Sequence, residues 1–207
     1  MSNDGPLVFV VDDEEAVGDS IAMLLRTVGL ATRVYRDPRV FLEDYRPEQA
    51  GCLLLDVRMP QLGGLELQQE LIRRNVTLPI IFISGHADVP MAVEAMRAGA
   101  LDFMQKPFND DELIRRVQKA LEQDAQEREL MERREEIERR WAELTARERE
   151  VARCVADGKA NKVVAAELGI SVRTAELHRA RILQKMGVRS IAQLVRILMM
   201  LGKKPPG

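Results

Sequence analysis

The chain is short of the residues that carry covalent frameworks and much of enzyme chemistry. Two cysteines, two histidines and one tryptophan are spread over 207 residues, and aromatics make up only 4%. Cys52 falls in an apolar run and Cys154 in a helical pattern, with no second ligand at metal spacing near either. Both therefore read as buried free thiols of a reducing compartment. No apolar run approaches the roughly 18 residues of a membrane span. The N-terminus, MSNDGPLVFVVDDEE, has no basic flank and runs into acid, unlike a signal peptide. A cytoplasmic protein with no membrane partner is expected. Residues 145–207 offer no nucleophile beside a base, so a catalytic back half, and enzyme activity with it, is not expected.

A net charge of −2 hides an asymmetry. Residues 1–121 carry 13 basic against 19 acidic side chains, residues 122–144 carry 5 against 9, and residues 145–207 carry 13 against 5. An acidic front and a basic back suggest two tasks, the second directed at a polyanion.

The front half alternates short apolar runs with helical patterns. Strands are predicted at 7–11, 31–35, 52–56, 79–84 and 101–105, and helices from about 16, 38, 65, 90 and 109. Five β/α units in this length predict a doubly wound, five-stranded parallel sheet covered by helices on both faces. In such a sheet the residues just beyond the strands share one cleft. Asp12, Asp13, Asp56, Ser84 and Lys106 all occupy such positions, and Asp56 ends the run GCLLLD ahead of VRMPQLGG. Three carboxylates in one cleft require a cation, and oxygen ligands of this kind suit Mg²⁺ or Mn²⁺. Phosphoryl transfer to Asp56 would use that ion, the fixed charge of Lys106 and the hydroxyl of Ser84.

The segments VVDDE, LLLDVRMP, ISGHAD and MQKPF resemble the signatures of the receiver domain of two-component response regulators, and ISGHADVPMAVEAMRAGALDFMQKPF is similar to the FixJ/StyR branch. The resemblance implies a flavodoxin-like fold and aspartyl-phosphate chemistry. It makes Asp12 and Asp13 metal ligands, Asp56 both ligand and phosphoacceptor, and the backbone carbonyl of Arg58 a further ligand. It also makes Ser84 and Phe103 switch residues, although an aromatic in a short strand reads equally well as core. His86, in the loop after Ser84, is assigned no role. The branch uses the fourth helix and fifth strand for dimerisation, and Val89, Met91, Val93 and Met96 place apolar groups on more than one side of that helix.

A helical pattern runs on from Asp110 without Gly or Pro as far as Gly158. Pairs such as Glu129/Arg133, Glu135/Arg139 and Glu136/Arg140 support an exposed helix. Leu130, Ile137, Leu144 and Trp141 fit a heptad seam too short to establish a coiled coil. A solvated connector, a dimerising helix, and Trp141 packed on either domain all remain open. The expected division is 1–121, a helical linker 122–143, and 144–207.

Beyond the linker, Thr145 and Glu148 form a capping box. A helix ends at Asp157-Gly158, a second carries Val163, Val164, Ala165 and Leu168 to Gly169, and a third runs from Arg173 to Met186. This is the pattern of a helix-turn-helix, whose later helix enters the major groove of duplex DNA. Arg173, Glu176, Arg179 and Ala180 share a face by spacing, with Leu177 towards the core. Glu176 could accept from cytosine and Arg179 donate to guanine. Lys162, Thr174, Arg181 and Lys185 are placed for phosphates. Structured RNA is the rival polyanion.

The pieces LTARERE, GKANKVVAAELGIS, VRTAELHRARILQKMGVRS and IAQLVRIL resemble the LuxR/GerE type of four-helix DNA-binding domain. That resemblance adds His178 to the DNA-facing set and makes the last helix a dimerisation element. Together the two resemblances imply a transcription regulator controlled at Asp56 by a sensor histidine kinase. It would form a homodimer on phosphorylation and act through promoter DNA and RNA polymerase.

Overall fold

The computed structural model describes residues 5–85 and 89–202, so His86 lies outside the described residues. The chain divides into two compact units, Met1–Arg128 and Glu129–Gly207.

In the first unit, β1 (Leu7–Val11), β2 (Ala31–Tyr35), β3 (Gly51–Asp56), β4 (Ile80–Ser84) and β5 (Asp102–Gln105) form one sheet in the order β2-β1-β3-β4-β5. Every pairing is parallel. Strands β3 and β4 are buried along their whole length, which is why their sequences are continuously apolar, whereas the edge strands β2 and β5 are partly exposed. Alternation distributes the side chains: Phe9, Leu53, Leu55 and Phe82 enter one core with Phe41, Leu67 and Leu71. Val8, Val10, Leu54, Ile81 and Ile83 enter the other, with Ile21, Leu25, Leu113 and Val117. Helices α2 (Pro38–Asp44), α3 (Gly64–Arg73) and α4 (Val89–Arg97) thus cover one face. The opposite face is covered by α1 (Glu15–Thr27) and the start of α5 (Asp110–Ala142). Each large apolar side chain buried this way contributes about 1.5–3 kcal/mol.

Two glycines permit close approach of backbone. A Cβ on Gly51 would stand 2.0 Å from the Leu7 carbonyl oxygen, and one on Gly64 2.2 Å from that of Asp56. The first keeps β3 against β1, and the second starts α3 directly below the end of β3. Asp124, on α5, is 3% exposed and accepts from the Gly51 amide at 2.8 Å and from Arg128 Nε at 2.8 Å. Arg128 Nη2 in turn donates to the Gln49 carbonyl at 2.9 Å. This clamp fixes α5 to the start of β3.

The second unit contains the last turns of α5, then α6 (Ala146–Ala156), α7 (Asn161–Leu168), α8 (Val172–Lys185) and α9 (Ile191–Met200). Its core joins Val151, Val155, Val164, Ala175, Ile182, Leu194 and Leu198 to Ile137, Trp141 and Leu144. The expected linker is therefore shared out: residues 122–128 belong with the sheet, and Trp141 packs in the helical unit. Leu130, 60% exposed, breaks the heptad seam. Arg140 pairs with Glu136 as expected, while Arg139 also turns to Glu136 rather than to Glu135. Val163 is exposed, leaving Val164 and Ala165 as the buried side of α7. Cys52 is buried, whereas Cys154 is only partly so and lies near Glu167.

Candidate functional site

The carboxyl ends of β1, β3 and β4 bring Asp12, Asp56 and Ser84 together, at 2%, 8% and 1% exposure. The Lys106 amide donates to the Ser84 carbonyl at 2.8 Å, which sets the lysine beside the end of β4. Its Nζ bridges Asp12 Oδ2 at 2.7 Å and Asp56 Oδ1 at 2.9 Å. Asp12 Oδ1 accepts from the Glu14 amide at 2.9 Å, and Asp56 Oδ2 from the Arg58 amide at 2.7 Å, so both carboxylates are oriented by backbone.

Burial pushes the Asp56 carboxyl above its ordinary range, and Asp12 adds to the push, while Lys106 and the Arg58 amide oppose it. Burial alone would lower Lys106, but its hydrogen bonds to Asp12 and Asp56 outweigh it and hold the ammonium charged. One fixed cation thus stands against two carboxylates in a largely dehydrated place.

Asp13 follows in sequence but is exposed at the rim. Among the described residues no three acidic side chains converge tightly enough to enclose a metal, because Lys106 stands between Asp12 and Asp56. The donor set nevertheless fits a hard divalent cation: its ligands are oxygens, and three carboxylates against one ammonium leave two negative charges to be met. Phe103 is half-buried in β5 and stacks on Phe82, with centroids 6.1 Å apart. On α4, Ala95 is buried and Met91 packs against the core, whereas Val89, Val93 and Met96 form an exposed apolar stripe.

In the second unit, Ser171 caps α8 by accepting from the Thr174 amide at 3.0 Å, and the Thr174 hydroxyl lies 2.8 Å from that of Ser171. Ala175, Ile182 and Met186 are the buried positions of this segment. With 100° per residue, the opposite face carries Arg173, Glu176, Leu177, Ala180, Arg181 and Gln184, all exposed. Lys162 is exposed on α7.

Four side chains of this unit lie elsewhere than the sequence pattern predicts. Leu177 is 53% exposed and belongs to the solvent face, because the small Ala175 rather than Leu177 meets the core. Arg179 sits on the flank and donates to Asn161 Oδ1 at 3.1 Å, tying α8 to α7. His178 turns to the buried side, where its Nδ1 is enclosed. Lys185 faces inward to Glu148 at 2.7 Å.

Burial would raise Glu148, but the hydrogen bonds from Lys185 and the Thr145 amide prevail and hold it below the ordinary range. A depressed folded-state value adds stability above the unfolded carboxylate range, and that stability is lost as pH falls through the folded value. Lys185→Met should accordingly cost about 2 kcal/mol at neutral pH and progressively less on acidification, read by denaturant unfolding across that pH range. A pH-independent loss would contradict the pairing.

Residues 8–118 match the response regulator receiver domain, and residues 142–198 match the bacterial regulatory proteins of the luxR family. The chain is 43% identical to the transcriptional regulatory protein FixJ of Azorhizobium caulinodans, over 96% of this chain and 94% of that protein. It is 42% identical to the response regulator protein TodT of Pseudomonas putida, over 95% and 87%. The solved structure of the response regulator StyR superposes with a TM-score of 0.87 at 42% identity, covering 94% of this chain and 98% of that one. A sheet with an acid–lysine pocket at its carboxyl edge, joined to a capped helix-turn-helix and matched along nearly its whole length by these regulators, places the chain in the response regulator family, in the FixJ/StyR branch that couples a receiver to a luxR-type DNA-binding domain.

Proposed function

We propose that Asp56 accepts a phosphoryl group from the phosphohistidine of a sensor kinase and that the modification controls promoter binding by the second unit. The observation that carries this reading is the Lys106 ammonium held between Asp12 and Asp56 at 2.7 and 2.9 Å, beside buried Ser84. The ionised Asp56 oxygen forms the new P–O bond as the P–N bond of the donor breaks, and the electron pair leaves with the imidazole, which takes up a proton. Asp12, Asp13, Asp56 and the Arg58 backbone carbonyl would hold Mg²⁺ or Mn²⁺, which supplies charge neutralisation on the phosphoryl oxygens. Lys106 pairs with the added charge, Ser84 donates to a phosphoryl oxygen, and Phe103 repacks against Phe82 at the β5 edge.

The exposed stripe of Val89, Val93 and Met96 is the dimerisation surface, with α9, which leaves Met199 and Met200 exposed, as a second one. On α8, Arg173 and Glu176 read base edges and Leu177 meets a thymine methyl, while Lys162, Thr174 and Arg181 contact phosphates. Arg179 and Lys185 position the helix. The regulator works in the cytoplasm on duplex DNA and communicates with RNA polymerase there.

Treating the protein with acetyl phosphate and Mg²⁺ should raise its dimer fraction and strengthen promoter binding by about 5–150-fold. Asp56→Asn should show neither change in sedimentation and anisotropy titrations. Equal behaviour of the two treated proteins would sink the proposal.

A further inference from the structure

The first unit contains a second concavity, remote from Asp56 along the strands. It has a volume of about 360 Å³ and lies at the amino ends of β4 and β5, walled by α3 and by the stretch of α5 that ends at Arg128. Leu71, Leu78 and Leu101 line it with apolar surface, while Gln68 comes from α3 and Gln123 and Glu127 from α5. Its size and mixed lining are those of a small-molecule site.

Two polar groups in the wall are incompletely matched. Glu127 is half-buried and accepts from Gln123 Nε2 at 2.9 Å, yet among the described residues it makes no ion pair. Gln68, 1% exposed, donates through Nε2 to the Ala95 carbonyl at 3.1 Å, leaving Oε1 buried without a partner. Gln68 Oε1 is shielded from solvent and closed to an occupant, whereas the half-buried Glu127 carboxylate is open to a cation. Glu127 borders the apolar side chains of Leu71, Leu78 and Leu101, so the chemistry that completes the hollow is an ammonium on an apolar body.

We propose that this cavity binds a small organic ammonium with an aryl or branched alkyl body, its charge towards Glu127 and its apolar part against Leu71, Leu78 and Leu101. One wall belongs to α5 and the others to α3, the β4 entry and the loop before β5. The occupant therefore joins α5 to the sheet and stabilises the first unit in proportion to its concentration. The proposal is independent of the phosphoryl chemistry at Asp56.

The test titrates the full chain with phenethylammonium, using phenethyl alcohol and hydrocinnamate as neutral and anionic counterparts, by calorimetry and nitrogen–proton correlation spectra. Saturable binding of the ammonium with a Kd of about 1 mM or tighter is expected, with shifts at the Thr77 and Leu101 amides. Glu127→Gln, which keeps the shape and the Gln123 contact, should weaken it at least about tenfold, that is by 1.4 kcal/mol or more. No saturation at about ten times that concentration would overturn the proposal, as would equal binding of the alcohol or the acid, shifts confined to other amides, or unchanged affinity in Glu127→Gln. Labelling of Asp56 by acetyl phosphate, unaltered in Glu127→Gln, keeps this outcome separate from the fate of the phosphoacceptor reading.

Discussion

Lys106→Met is expected to destabilise the first unit by about 3 kcal/mol at neutral pH. The ammonium is the counter-charge for two carboxylates that are almost wholly withdrawn from water. Methionine keeps the stem and removes the charge, so Asp12 and Asp56 are left to repel each other in a poorly solvated cleft. Mg²⁺ should restore much of the loss in the variant and do less for the wild type. Acid should restore it as well. Burial already holds Asp56 above its ordinary range, and without Lys106 that upward push is unopposed by a cation. A carboxyl with a raised folded-state value binds more protons folded than unfolded. Its cost is therefore absent below the ordinary carboxylate range and grows as pH rises towards the folded value. Hydrogen exchange at β1 and β3 amides, in mild acid and at neutrality, with and without Mg²⁺, reads all three effects. An equal loss under every condition would mean that Lys106 contributes packing rather than charge.

Trp141→Ala should cost the second unit about 3–5 kcal/mol while leaving exchange rates in the sheet unchanged. The indole is 5% exposed and shares a core with Ile137, Leu144, Val151 and Leu198. Were the end of α5 only a solvated connector, the change would stay within about 0.5 kcal/mol. Denaturant melts followed by exchange in α6 and α8 distinguish the two outcomes.

The sheet was legible because β3 and β4 are buried on both faces, and full burial writes itself as an unbroken apolar run. The cleft was legible for a related reason: Asp12, Asp56 and Ser84 are polar residues that stop such runs. Asp13 shows the limit, since its neighbour Asp12 turns inward while it stays at the rim. The face of α8 is not legible in the sequence because Ala175 carries little hydrophobic signal and Leu177 a great deal. Geometry put the smaller residue inside because Ile182 and Met186 continue its side of the helix. The roles of Lys185 and Arg179 depend on Glu148 and Asn161, which lie 37 and 18 residues away in the chain, and no local spacing announces such partners. Trp141 was ambiguous because heptad spacing describes a buried stripe without saying which body buries it.

The Asp124 clamp determines where a receiver can be cut from this protein. A fragment ending at Leu121, where the apolar pattern of α5 fades, would lose the acceptor of the Gly51 amide and the Arg128 hydrogen bond to Gln49. It would bury an unanswered N–H at the root of the very strand that ends in Asp56. A fragment carried through to Arg128 keeps both. The excisable piece is thus bounded by a carboxylate four residues from its end, not by the hydrophobic repeat, and the first seven residues of the supposed connector are part of what must be expressed for the strand that ends in Asp56 to be seated.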